Sequence, residues 1–318
     1  MLASHRTTQI HFIDISRSDN IEFVSNERSR RLVGDFWKAR CRPPGVISLE
    51  RDTPELARTY EQAGILQFHH GKFLVGPLAL KSGDRVLDIG AGTGRLTEFV
   101  AGLVGPDGRV IGIDPLENRI AIASLRVSKT LTFDVGRAED LSRFGSAEFD
   151  AVYLNSVFHW IACKRQALRE IERVLKPGGR IGLNVQDPTK PHESRTLLRQ
   201  AIERAGFGER SGEPRRVLGA TDDELKALFA ETGFVDYRSD LRSLVDVHGD
   251  VDSVLGWSEA SAFGNFLGGF SLTERQAIDE AFAALVESKR TPEGLRLERY
   301  LRFAFARKPG SQTTPSAS

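Results

Sequence analysis

Apolar positions in this chain fall into short uninterrupted runs separated by glycine turns and by stretches with helical spacing. Val86-Leu87-Asp88-Ile89, Val110-Ile111-Gly112-Ile113 and Phe149-Asp150-Ala151-Val152-Tyr153-Leu154 read as buried strands, as do residues 130–135 and 180–185. Between the last two, residues 167–175 place apolar side chains three and four apart, the pattern of a helix that buries one stripe. Strands alternating with helices predict an α/β chain with a mostly parallel sheet. Thr53-Pro54-Glu55 reads as an N-cap followed by proline at the first helical position, opening a helix that runs to about Gly64. Thr221-Asp222-Asp223-Glu224 caps another that stops at Gly233. Residues 234–247 and 301–307 read as two more strands, and residues 250–296 between them as a helical insert.

Two of these runs end in residue types with chemical meaning. The first opens into Gly90-Ala91-Gly92-Thr93-Gly94, and the second closes on Asp114. A turn this rich in glycine lets a ligand lie against bare backbone and admits positive φ angles. A carboxylate at the end of the second strand can accept hydrogen bonds from two ribose hydroxyls, so the pair describes half of a site for an adenosine-containing ligand. The dinucleotide fingerprint G-x-G-x-x-G has a third glycine where this chain has Arg95. Taken alone, the turn is open to S-adenosylmethionine (SAM), to a dinucleotide, or to a purely structural role.

The spacing Gly90, Gly92, Gly94 resembles motif I of the class I SAM-dependent methyltransferases. Arg173-Val174-Leu175-Lys176-Pro177-Gly178-Gly179, ahead of the fifth strand, resembles the late motif of the small-molecule members. The resemblance covers residues 67–187 and, more loosely, the part up to about 308. It implies a Rossmann-like seven-stranded, mostly parallel sheet with helices on both faces, an antiparallel closing hairpin and a helical cap insert. The implied organisation is a helical lid region at 1–66, the SAM-binding core at 67–187, a C-terminal part with the substrate cap at 188–308, and a disordered tail at 309–318. Trp257, Phe263, Phe266, Leu267, Phe270 and Phe282 in the insert either cap a substrate pocket or form ordinary core.

SAM is the cofactor implied. By resemblance Asp88, Gly90, Ala91, Gly92 and Gly94 would surround its methionine end, Asp114 would hold the ribose, and Leu116 would pack on adenine. The turn of Arg137, Ala138 and Glu139 would meet the adenine edge, although many family members have Asp where this chain has Arg137. Asn155-Ser156-Val157-Phe158-His159-Trp160 follows the fourth strand and resembles the N-x-x-x-x-W signature of the trans-aconitate and malonyl-carrier-protein methyltransferases, which methylate carboxylates. It lacks the N-P-P-Y turn of amino-group methyltransferases and the R-N-x-x-D run of quinone ring methyltransferases. Asn155 is thereby placed at the cofactor, and His159 and Trp160 become the candidate catalytic residues. His159 can act as base or substrate contact because imidazole titrates near neutral pH, or it can simply pack. Trp160 would shape the pocket wall. The opposing readings are an NAD-linked oxidoreductase and a SAM-binding protein that transfers nothing.

Composition narrows the partners. Lysine and arginine (44) balance aspartate and glutamate (43), so no strong field recruits nucleic acid or an anionic membrane, and a small-molecule substrate is expected. No apolar run approaches the roughly 18 residues of a membrane span, and the polar N-terminus lacks a secretory core, so the expected compartment is the cytoplasm. Cys41 and Cys163 show no metal-ligand spacing and read as ordinary thiols. His69 and His70 are adjacent and cannot share a helix face, so no metal site is expected of them. Residues 25–39 suit a helix with one apolar stripe. The sequence leaves the oligomeric state open.

Overall fold

A computed structural model describes residues 48–210 and 218–310. Its sheet is built from β1 (Arg85–Ile89), β2 (Arg109–Asp114), β3 (Leu131–Val135), β4 (Phe149–Leu154), β5 (Leu175–Gln186), β6 (Val235–His248), β7 (Arg290–Thr291) and β8 (Gly294–Arg307). The helices are α1 (Pro54–Ala63), α2 (Ile65–Val75), α3 (Arg95–Val104), α4 (Glu117–Ala123), α5 (Lys164–Val174), α6 (Glu193–Arg204), α7 (Asp222–Glu231), α8 (Val251–Ser261) and α9 (Leu272–Glu287).

The strand order is β3-β2-β1-β4-β5-β8-β6, with β7 paired to β8. β1 to β5 run parallel, and β8 joins antiparallel to β5 and β6. The order reverses between β1 and β4, and a cleft opens there beyond the carboxyl ends of the strands. Alternate side chains serve opposite faces, which is why the central strands are apolar throughout. Leu87, Val152 and Leu154 pack with Leu168 of α5 and Phe229 of α7. Val86, Ala151 and Tyr153 pack with Leu74 of α2 and Val100 of α3 on the other side.

Several expectations need adjustment. The sheet has eight strands rather than seven, because the two-residue β7 folds onto β8. The helical insert therefore ends at Glu287, short of Arg296. β5 begins at Leu175 and takes in the Lys-Pro-Gly-Gly segment, because Gly178 N donates to the Lys308 and Pro309 carbonyls and Lys308 N donates to that of Gly179. Pro309, expected in the tail, is thus tied to the sheet end. Gln67 to Lys72 lie within α2. Cys163 is disulfide-bonded, not an ordinary thiol. Cys41, the expected helix at 25–39, most of the lid region and the tail from 311 lie outside the described residues. No helix among the described residues is long and apolar enough to cross a membrane.

Candidate active site

The glycine turn after β1 has positive φ at Gly90 (80°), Gly92 (56°) and Gly94 (85°). The three glycines serve different ends. A Cβ on Gly90 would fall 2.1 Å from Val157 Cγ2, and one on Gly92 would lie 3.2 Å from the Tyr60 ring. Both line an open cleft of about 790 Å³. A Cβ on Gly94 would instead strike Phe133 at 2.6 Å, so that glycine lets the turn pack onto β3.

Asp114 closes the cleft at the end of β2. Its Oδ2 accepts from Gly92 N at 2.9 Å and its Oδ1 from Leu116 N at 2.9 Å. A carboxylate offers about four acceptor positions, so each oxygen retains one for a ligand. Burial raises its pKa, against the opposing effect of the Arg119 guanidinium. Leu116, Ala138, Glu139, Asn155 and Trp160 also line the cleft. The bare loop backbone, the buried carboxylate and the apolar walls of Leu116, Ala138 and Ile161 suit an adenosine carrying an amino-acid tail.

Asp88 does not line this cleft. Its Oδ2 accepts from Thr97 Oγ1 and from Tyr153 OH, both at 2.7 Å, beneath the turn. Ala91 and Gly94 do not line the cleft either. The Ala91 methyl faces Gly112, where a Cβ would lie 2.9 Å from it. All three support the loop from behind.

A second cavity of about 520 Å³ adjoins the first. Gln67, Ser156, Trp160 and Ser261 line both, so they form the wall between them. Ser156 sits at a φ of 60°, a strained conformation for serine. Asn184, fully buried in β5, holds it there by accepting from Ser156 N at 2.5 Å and Oγ at 3.3 Å. Asn184 also donates to Asn155 Oδ1 at 2.7 Å, and Asn155 donates to the Gln67 carbonyl at 3.0 Å. One hydrogen-bonded chain therefore sets the dividing wall.

His159 lines the second cavity and not the cofactor cleft. Burial, followed by the positive charges of Arg195, Lys164 and Arg299, holds its pKa well below the usual histidine value. The imidazole is neutral near pH 7. Trp160 stacks edge-on against Phe263 at 4.8 Å between centroids, which joins the wall to the insert. Trp257 and Phe266 line the second cavity, whereas Leu267, Phe270 and Phe282 pack with α6 in a separate core. The aromatic insert thus divides between the two roles expected for it.

Two kinds of site residue escaped the sequence reading. Tyr60 and Arg119 line the cofactor cleft, and only the capped helix at Thr53 hinted that α1 would reach it. Arg195 and Arg299 line the second cavity from segments with no motif. His70 lies outside both cavities and faces Asp246 at 3.4 Å. Burial lowers its pKa to about 4 despite that carboxylate, so it is a neutral neighbour rather than half of an ion pair.

A family model described as a methyltransferase domain matches residues 87–183. The demethylmenaquinone methyltransferase of Symbiobacterium thermophilum is 38% identical over 123 residues, which are 37% of this chain and 48% of that one. The chain thus spans about half the length of that relative. The ubiquinone/menaquinone biosynthesis C-methyltransferase UbiE of Pseudomonas paraeruginosa is 32% identical over 199 residues, 56% of this chain and 76% of that one. Among solved structures, phosphoethanolamine N-methyltransferase 2 of Haemonchus contortus, in complex with S-adenosyl-L-methionine, shares the fold with a TM-score of 0.52 at 20% identity over 84% of this chain and 61% of that one. A glycine cleft ending on a buried aspartate, on a sheet of this order and with a relative this similar over three quarters of its length, leads to one family: the chain belongs to the class I SAM-dependent methyltransferases.

Proposed function

We propose that this protein transfers the methyl group of SAM to a small organic acceptor seated in the cavity beside the cofactor cleft. The observation that carries this reading is the shared wall of Gln67, Ser156, Trp160 and Ser261, across which a donor and an acceptor can meet. SAM bound in the cleft supplies a sulfonium methyl carbon: an acceptor lone pair forms the new bond, the carbon–sulfur pair returns to sulfur, and any acceptor proton leaves to base or water. Gly90 and Gly92 offer backbone to the amino-acid end, and Asp114 takes the ribose hydroxyls on its free lone pairs. Leu116 and Ala138 flank the adenine, with Glu139 at its edge. Asn155 and Ser156 set the wall where the methyl is delivered.

Because the leaving thioether needs no proton, positioning and exclusion of water supply most of the rate. Trp160 closes the wall against water. The neutral His159 orients the acceptor, since a low proton affinity makes it a weak base. The quinone methyltransferases among the relatives support a small-molecule acceptor, while the Asn155-to-Trp160 run resembles that of carboxylate methyltransferases.

Titration calorimetry with SAM and with S-adenosylhomocysteine tests the cleft. The parent binds both. Asp114→Ala weakens binding by about tenfold or more, because charge-assisted hydrogen bonds worth roughly 1.5–3 kcal/mol each are lost. Asp114→Asn, which keeps an acceptor for one loop amide, loses less. A folded Asp114→Ala variant with parental affinity would remove this cleft as the cofactor site.

A further inference from the structure

The acceptor cavity contains a cation, Arg195, without a counter-charge among the described residues. Arg195 projects into it from the first turn of α6, and its guanidinium makes no hydrogen bond or ion pair to any described residue. No aspartate or glutamate among the described residues lines the cavity. The adjacent Glu193 is committed elsewhere, to Lys289 Nζ at 2.5 Å and to Glu298 N at 2.9 Å. Burial and repulsion from Arg299 lower the Arg195 pKa to about 10. Its position is also electrostatically adverse, since a helix N-terminus favours anions over cations. Two unfavourable terms act on one side chain, and a bound anion would relieve both.

The other charges fix how many anions are required. Arg299 also lines the cavity, but its Nε donates to Asp246 Oδ2 at 2.6 Å and its guanidinium lies 4.4 Å from the Trp257 ring centre. It is already compensated. His159 and His192, both in its lining, are held neutral, chiefly by burial. Among the described lining residues, one uncompensated positive charge remains. The rest of the lining supplies apolar surface from Trp160, Trp257 and Phe266.

We infer that the methyl acceptor is an organic acid with one carboxylate and an apolar or aromatic body, and that Arg195 holds the carboxylate. Arg195 does not belong to the wall shared with the cofactor cleft. The carboxylate is therefore a handle, and the methylated atom is another one, presented at Gln67, Ser156, Trp160 and Ser261. A planar guanidinium matches a carboxylate through two parallel hydrogen bonds. This inference rests on the methyltransferase reading above.

Trp160 and Trp257 in the wall allow binding to be followed by tryptophan fluorescence, with S-adenosylhomocysteine present to fill the cleft. The probes are matched acids and amides: benzoate with benzamide, 4-phenylbutyrate with 4-phenylbutyramide, and octanoate with octanamide, together with phenyl phosphate. In the parent, at least one acid binds tenfold or more tightly than its amide. Arg195→Gln abolishes that preference while S-adenosylhomocysteine affinity is unchanged, and Arg195→Lys retains part of it. Should Arg195→Gln fail to fold, the parental acid-to-amide ratio and the lysine variant decide. Equal binding of acid and amide in every pair, or a preference that survives Arg195→Gln, would overturn the assignment. Tighter binding of phenyl phosphate than of any acid would replace the single carboxylate with a phosphate. Transfer of a labelled methyl to any of these acids as an alkali-labile ester would overturn the handle role. Loss of S-adenosylhomocysteine binding in the parent would instead count against the cofactor cleft, so the two failures are distinguishable.

Discussion

Asp88 shows how one residue can carry a motif and yet work behind it. Burial pushes its carboxyl up to about 7, against the lowering effect of the Tyr153 and Thr97 hydrogen bonds. An unperturbed aspartate titrates near 3.8, so between pH 4 and 7 the folded chain holds a proton that the unfolded chain releases. Stability through this group is therefore full below pH 4 and is lost as pH rises to about 7, by up to about 4 kcal/mol. Asp88→Asn removes the dependence while keeping an acceptor for both hydroxyls. Urea unfolding of parent and variant at pH 5 and pH 8 checks this, and identical pH slopes would show that Asp88 titrates normally. His159 carries the opposite sign: with its pKa held low it is already neutral at pH 6, so transfer rates between pH 6 and 8 show no histidine limb. A limb near 6.5 that disappears in His159→Asn would restore it as a general base.

At the scale of elements, end signals decided much of the architecture. Thr221 and Glu224 form a reciprocal capping box on α7, and Ser271 and Glu274 form another on α9. The second starts the helix that packs on α6 and so holds the first turn bearing Arg195 in place. Ser271→Ala leaves the Glu274 amide without its side-chain acceptor and costs about 1 kcal/mol. Thermal unfolding measures the loss, and an unchanged midpoint would mean that packing of Ile278, Phe282 and Val286 alone sustains α9. The strand ends behaved less locally. β6 and β8 pair continuously from Arg238 with Phe305 to His248 with Leu295, so β8 extends well ahead of the apolar run at 301–307.

Across the whole molecule, Arg119 joins the parts that line the cleft. From α4 it donates to the Ala260 carbonyl at 2.6 Å, lies 3.3 Å from Asp52 Oδ1 and stacks 4.1 Å from the Tyr60 ring centre. The N-terminal helix, the cleft and the insert thus share one buried cation. Arg119→Met leaves Asp52 buried and unpaired, which costs about 3–5 kcal/mol, and Asp52→Asn in the same chain recovers part of it. In hydrogen-exchange measurements, S-adenosylhomocysteine slows exchange in α1 and α8 together in the parent, because both hang on this side chain. Protection of α1 without α8 would show that the two close independently.

The sequence alone determined the features that rest on local physics. Glycine spacing after a buried strand, a carboxylate ending the next strand, capped helix starts and runs of strand length follow from backbone sterics and hydrogen bonding within a few residues. From these the sheet, the family and the positions of Gly90, Gly92, Asp114, Leu116, Ala138, Glu139, Asn155 and Trp160 at the cleft were legible. Tertiary structure alone decided which motif residues face the cleft. Asp88 points beneath the turn because Tyr153, 65 positions away in sequence, supplies its hydrogen bond. Arg195 and Arg299 belong to separate elements, α6 and β8, and meet at one cavity because that is how those elements pack on the sheet. Periodicity records which side of an element is buried, but it does not say what stands opposite or whether a charge finds its partner there.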